Sequence, residues 1–411
     1  MKKPVDGYVP MMTEIPRFLE HYENLPDQLN VGPYQKNWMK MSYIDRFAQD
    51  LMAPDFNPPF SGKFYGKPSS KQQENLKGLR MVRALRHAAV LMEERPDEPF
   101  WKCHEFCPEV DLIIKVVQAA VSPDGGEVDG VGHIAPIPYQ YWQFDLLSGD
   151  ELVAAHDAIN DLALKMRKAL LSKNVREKIK CFKRNATDRY KHLMKVATSA
   201  WAAQNNSNLL IRLDWGYRKT YPVVLPEFLS QEDFRLQCAE VSEFRKIMLD
   251  VLQKMFGKDL AFYAWKIECG DVKGLHVHWL LAVNGNKHQD RINVPRQIAD
   301  AWDAAIGKDK GYTFNVNALD LPNKTGLRVL DYNDPELLEV LGRYCDYLTK
   351  VDLTLKLRLP EKMRSFGSSK LQKVKKNKPG PARKYQMQMR KVLDVRGPQG
   401  KMSLNKPGKN K

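Results

Sequence analysis

Apolar residues along this chain follow two rhythms, and the change between them falls near residue 205. Up to about residue 70, prolines and aromatics come with little periodicity, and Asp55-Phe56-Asn57-Pro58-Pro59-Phe60-Ser61-Gly62 reads as loop. Leu76, Leu79, Val82, Leu85 and Ala89 then lie near helical spacing and predict a helix over 73–94, ended at Glu94-Arg95-Pro96-Asp97. A second helix is predicted over 110–121, stopped by Ser122-Pro123-Asp124-Gly125-Gly126, and a Gly/Pro-rich linker or long loop reaches to about Tyr139. Helices return over 150–173 and 175–203. The pattern makes residues 1–200 a mainly helical region, to which it assigns no chemistry.

Beyond residue 205 a period of two appears. Strands are predicted over 208–215, 260–269, 275–283 and 312–317, with Gly270-Asp271-Val272-Lys273-Gly274 as a turn between the second and third. Helices are predicted over 231–256, closed by Gly257, and over 293–306. A last helix opens at Asp334-Pro335, with Asp at the cap and Pro at the first helical position, and runs to about Lys350. Strands interspersed with helices, including a hairpin, predict an α+β domain over 205–365.

Side chains on a strand alternate between faces. Leu209, Ile211, Leu213 and Trp215 share one face of the first strand, and Arg212 and Asp214 point the other way. Tyr263, Trp265 and Ile267 are the core face of the second, opposite Lys266 and Glu268. Val277, Trp279, Leu281 and Val283 are the core face of the third, opposite His276 and His278. If these strands are neighbours, one face gathers Arg212, Asp214, Lys266, Glu268, His276 and His278. Two imidazoles side by side are potential metal ligands, and Glu268, across the hairpin from His276, can add a carboxylate. Two nitrogens and one oxygen suit Mg²⁺ or Mn²⁺ acting as a Lewis acid. The bland reading of Glu268 is a cross-strand ion pair.

On the last helix, Leu337, Val340, Leu341, Tyr344 and Leu348 form one apolar stripe at 100° per residue. Tyr347 falls at its edge, with Arg343 and Lys350 on the polar flank. Cations beside a phenol lower its pKa and attract phosphate. Tyr344, central in the stripe, also reads as a core tyrosine.

Composition narrows the partners. The chain has 411 residues and a formal net charge of +16, which favours a polyanion, nucleic acid first. The excess is concentrated in residues 366–411, a basic and disordered tail in which Asp394 is the single acid. No run of 18 apolar residues occurs, so no membrane span is expected, and Met1-Lys2-Lys3-Pro4 leads into no apolar segment of a signal peptide. Six scattered cysteines fit reduced thiols in a cytoplasm. Cys103-His104-x-x-Cys107 would need a second ligand pair to hold zinc, and His133 is the one loose candidate. No Walker-type phosphate loop is seen, so a helicase in the same chain is not expected.

His276-Val277-His278 resembles the His-hydrophobic-His motif of HUH endonucleases, and Tyr347-Leu348-Thr349-Lys350 resembles their Tyr-x-x-Lys motif. Tyrosine after histidines is the order of the replication initiators. More closely, Arg212-Leu213-Asp214, Trp265-Lys266-x-Glu268-x-Gly270, Gly274 through His278, Trp302 and the tyrosine motif resemble the inovirus-type gene-two replication proteins and their prophage relatives. The resemblance covers about residues 205–365. It implies an antiparallel, RRM-like HUH nuclease sheet, a metal on His276 and His278 with Glu268 as third ligand, Tyr347 as nucleophile and Lys350 as its helper. Tyr344 is a second tyrosine at a spacing that differs from some two-tyrosine initiators.

The function so implied is rolling-circle initiation in a bacterial host cell, at a phage or plasmid origin. Single-stranded origin DNA is nicked and rejoined through a 5′-phosphotyrosine, with host helicase and polymerase as possible partners. Arg212, Asp214, Lys266 and Arg343 are the expected DNA contacts. A transposase or mobilisation nickase would use the same motifs on a different substrate. A non-catalytic DNA-binding regulator would not need the histidines, and an RNA-binding sheet would want exposed stacking aromatics that are not seen here.

Overall fold

The computed structural model describes residues 35–56, 58, 60, 81, 83–89, 103–142, 147, 149–203, 207–218, 230–270, 274–319, 326–353, 355–360 and 362–372. The basic tail beyond Gln372 and most of the 73–94 helix lie outside these residues, although 81 and 83–89 are helical. The described residues divide into two compact units. One runs up to Asn185 and takes in Asp352–Arg358; the other comprises Ala186–Val351 and the residues from Leu359.

The first unit is mainly helical. It contains α1 (Gln35–Met52), β1 (His104–Phe106), α2 (Pro108–Val121), a hairpin of β2 (Gly126–Val128) and β3 (Gly132–Ile134), α3 (Gly149–Leu170) and the start of α4 (Lys173–Ala203). Its core joins Ile44, Ala48 and Leu51 of α1 to Val110, Ile113 and Val117 of α2 and to Ile159, Leu162 and Met166 of α3. Helix α1 stands where the sequence suggested no regular element. The Gly/Pro-rich stretch expected as linker contains the β2–β3 hairpin, where Gly130 and Gly132 take positive φ and turn the chain.

The second unit is an α+β domain built on an antiparallel sheet of six strands. These are β4 (Ser207–Tyr217), β5 (Leu260–Gly270), β6 (Gly274–Asn284), β7 (Gly311–Asn315), β8 (Val329–Asp331) and β10 (Phe366–Ser368), in the order β10-β5-β6-β4-β7, with β8 also pairing β4. The three-residue β9 (Leu355–Leu357) pairs with β1 in the first unit. Helices α5 (Gln231–Phe256), α6 (Asn293–Ile306) and α7 (Leu337–Thr349) complete the domain. Ser230 begins α5 with a capping box, its hydroxyl accepting from Asp233 N at 3.1 Å while the Asp233 carboxylate accepts from Ser230 N.

Both faces of this sheet are covered. On one, Trp215 and Trp279 pack on Trp302 of α6, with ring centroids 5.6 and 6.1 Å away, and Trp302 Nε1 donates to Phe244 O of α5. On the other, Leu210, Phe262, Ala264, Leu280 and Ala282 form a core with Val196, Ala200 and Trp201 of α4 and with Leu341, Tyr344 and Leu348 of α7. This second face also carries Arg212, Asp214, Lys266, Glu268, His276 and His278. Only one end of it is polar, because the apolar alternation continues towards the start of β4 and the end of β6. No helix among the described residues is long and apolar enough to cross a membrane.

Candidate active site

The register of three central strands assembles the site. Asp214 of β4 is the direct neighbour of His278 on β6, and Lys266 and Glu268 of β5 stand opposite His278 and His276. A period of two then puts all of them on the face that α7 covers. Next to them, β4 changes partner, pairing β8 through residues 207–209 and β7 through 213–217. Asn317 bridges the gap. Its Oδ1 accepts from Arg212 N at 2.9 Å and its Nδ2 donates to Leu210 O at 2.8 Å, as a paired strand would. This clamp holds Arg212 and Asp214 in place.

Donor atoms of Glu268, His276 and His278 lie within 4.8 Å of one another. Each imidazole is held at Nδ1: His278 against Asp214 Oδ1 at 2.8 Å, His276 against Gly274 O at 3.0 Å. Both Nε2 atoms therefore turn towards Glu268 Oε2, at 3.2 and 3.8 Å. Histidines that ligate metals are commonly oriented in this way, with the far nitrogen bound to a carboxylate or a carbonyl. Glu268 Oε1 has no hydrogen-bond partner among the described residues, although the atom is buried. The donors and this orphaned oxygen fit a divalent cation.

The charges are strongly coupled. Burial opposes ionisation of Asp214, but Arg212 and His278 outweigh it and hold the carboxyl well below the usual range. Burial likewise disfavours a charged Glu268, yet His278 and His276 pull its pKa down to about 2. For His278, burial would lower the pKa, and Asp214 and Glu268 together raise it to about 9. Without a cation, the two carboxylates favour the protonated imidazole of His278.

Tyr347 joins this group. Its ring meets His278 edge-on, with centroids 5.3 Å apart, and the Arg212 guanidinium lies over its face, Cζ 3.8 Å from the ring centroid. Arg212 also forks onto Asp214, at 2.9 Å from Nη2 to Oδ2 and 3.3 Å from Nε to Oδ1. One chain of contacts thus runs Tyr347–Arg212–Asp214–His278–Glu268.

The remaining expected residues are placed differently. Tyr344 is buried in the apolar core between α7 and the sheet. Lys350 opens the 3₁₀ turn Lys350–Leu353, and its side chain is outside the described ones. Arg212 and Lys266, expected to face DNA, are 2% and 1% exposed, so their charges serve the interior of the site. Asp214 faces His278. Arg343 alone of these four is on an exposed surface, 3.0 Å from Glu339. The sequence missed the supporting role of Asn317, which alternation does not signal because it lies in a 3₁₀ turn after β7.

Residues 175–369 match the family model described as the YagK/YfjJ C-terminal domain. The match takes in the sheet, α7 and the whole constellation, and spans somewhat under half of the chain. No curated protein matches the chain. No solved structure matches it either.

Proposed function

We propose that this chain nicks and rejoins single-stranded DNA through a covalent phosphotyrosine on Tyr347, as the initiator of rolling-circle replication. One observation carries the reading: Tyr347 stands 5.3 Å from His278, on the sheet face where Glu268, His276 and His278 converge. A nucleophile beside a cation-binding triad is the arrangement that phosphoryl transfer requires. The resemblance of His276-Val277-His278 and Tyr347-Leu348-Thr349-Lys350 to HUH motifs agrees with it.

In this reading Tyr347 Oη attacks the scissile phosphorus in line. The Oη–P bond forms, the P–O3′ bond breaks, the phenol proton departs, and the 3′-oxygen takes up a proton as a free hydroxyl. Rejoining is the reverse, the 3′-hydroxyl displacing the tyrosine. A divalent cation on His276, His278 and Glu268, when bound, supplies charge neutralisation at the non-bridging phosphate oxygens. The other residues act by position. Asp214 fixes the tautomer and plane of His278. Arg212 steadies the Tyr347 ring from its face. Arg343, on the exposed flank of α7 and paired with Glu339, contacts the DNA backbone in this reading, and Lys350 is the helper that the motif assigns. The phosphodiester energy is kept in the covalent link, so no nucleotide cofactor is consumed.

The test is direct. The protein is incubated with pooled single-stranded DNA and Mn²⁺, and DNA-linked protein is isolated and digested. The expected adduct maps to the peptide bearing Tyr347 and does not form when a chelator is present from the start. No adduct, or an adduct on another residue, would overturn the reading.

A further inference from the structure

Three further donors converge in the helical unit. Asp45 on α1, Cys107 at the N-cap of α2 and Glu109 in the first turn of α2 bring their donor atoms within 4.8 Å of one another. Cys107 and Glu109 are fully buried and Asp45 nearly so, beside Ile44, Ala48, Val110 and Ile113. Lys183 of α4 makes an ion pair with Glu109 Oε1, and Gln49 Nε2 donates to Asp45 Oδ2 at 2.8 Å. These contacts leave Asp45 Oδ1 and Glu109 Oε2 buried with no hydrogen-bond partner among the described residues.

We propose that Asp45, Cys107 and Glu109 form a structural site for a divalent metal of the zinc class, joining α1 to α2. A carboxylate taken out of water is costly unless it is paired and hydrogen-bonded, and here two carboxylates share one lysine. The unpartnered oxygens are acceptors without a donor, which is what a missing cation leaves behind. The charges close with the ion present: two carboxylates and a thiolate balance Lys183 and a divalent metal. The sulfur argues against Mg²⁺ and Ca²⁺, which take oxygen, and favours a borderline ion that accepts sulfur and carboxylate together. Zn–S and Zn–O bonds of about 2.3 and 2.0 Å set neighbouring donors about 3.5 Å apart, so a small rotation of the carboxylates closes the group. Their four oxygens and the sulfur suffice for a four-coordinate shell. The Cys103-His104-x-x-Cys107 spacing contributes only its last residue. Among the described residues, the donors converging on Cys107 come from Asp45 and Glu109, and His133 lies on an exposed hairpin beside Glu127.

The full-length protein, stripped with a chelator, is titrated with Co²⁺ and watched for the near-ultraviolet charge-transfer band of a thiolate–cobalt bond. The Glu268–His276–His278 group has no sulfur, so the band is independent of the nicking proposal, and Cys107→Ser separates this site from the other five cysteines. The expected result is a band in the wild type and in a His276→Ala/His278→Ala variant, its loss in Cys107→Ser, and its displacement by Zn²⁺. A wild type without the band, or a band that survives Cys107→Ser, overturns the proposal. Asp45→Asn keeps the thiol and nearly the same volume, which covers the case of a Cys107→Ser protein that does not fold. Its cobalt affinity is expected to fall at least tenfold, and an unchanged affinity also overturns the site.

Discussion

The guanidinium of Arg212 lies over the ring of Tyr347, Cζ 3.8 Å from its centroid, while its nitrogens fork onto Asp214. Both contacts need a planar cation. Lysine keeps the charge but neither stacks flat nor forks. Arg212→Lys is therefore expected to slow formation of the DNA adduct about tenfold, the scale of a desolvated cation–π contact. DNA affinity should be nearly unchanged, because Arg212 is buried. Single-turnover kinetics on an intact single-stranded oligonucleotide separate the two. A loss confined to binding would contradict this assignment.

The two tyrosines of α7 should part company. Tyr347→Phe removes the oxygen proposed to attack and keeps the ring under Arg212, so the fold and DNA binding are expected to persist while the adduct disappears. Tyr344 belongs to the core against the sheet, and Tyr344→Phe should leave adduct formation within about twofold of wild type, a free-energy change under roughly half a kcal/mol. An adduct in Tyr347→Phe that is lost in Tyr344→Phe would reverse the assignment.

Much of this site could be read from alternation, because β4, β5 and β6 are long central strands with a hairpin between two of them. Once Glu268 and His276 flank a short turn, pairing them follows from strand geometry. The stripe of α7 was equally plain, its five members all being buried, although the helix begins two residues after Pro335. What alternation hid was burial. Arg212 and Lys266 look solvent-facing by residue type, whereas the Asp214 carboxylate two residues on and the Tyr347 ring, distant in sequence, receive Arg212 in the interior. The three-residue strands β8, β9 and β10 were also hidden, since each is defined by its partner more than by its own pattern. Helix α1 was missed because its buried Met41, Ile44, Ala48 and Leu51 are interleaved with polar residues in a stretch dominated by prolines on either side.

The aromatic core beneath the site carries stability without chemistry. Trp302 is fully buried against Trp215 and Trp279, and its indole N–H donates to Phe244 O at 2.9 Å. Trp302→Ala leaves a cavity, and should cost about 3–5 kcal/mol. Chemical denaturation measures this. Trp302→Phe fills most of the volume and should cost clearly less.

Asp214 is bonded to His278 Nδ1 at 2.8 Å, the position from which a carboxylate orients a metal-bound imidazole. Asp214→Asn keeps the shape but loses the charge. Mn²⁺ affinity should drop by roughly ten- to a hundredfold, as for outer carboxylates elsewhere. Calorimetric titration of Mn²⁺ into both proteins decides it, and equal affinities would remove Asp214 from the metal's support.

The same carboxylates set a pH dependence for the ion-free protein. Burial alone would lower the pKa of His278, but Asp214 and Glu268 raise it from 6.5 to about 9. A group whose pKa is raised on folding contributes its full stability below 6.5 and loses it as pH climbs through about 9. Glu268 is shifted the other way, to about 2, so its contribution is lost only in acid and stays constant across this window. Between pH 6.5 and 9 the melting temperature in chelator should therefore fall, and His278→Gln should flatten that slope. Mn²⁺ must displace the Nε2 proton, so its affinity should rise over the same interval. A melting temperature independent of pH in chelator, with wild type and His278→Gln alike, would show that the imidazole is already neutral between its two carboxylates.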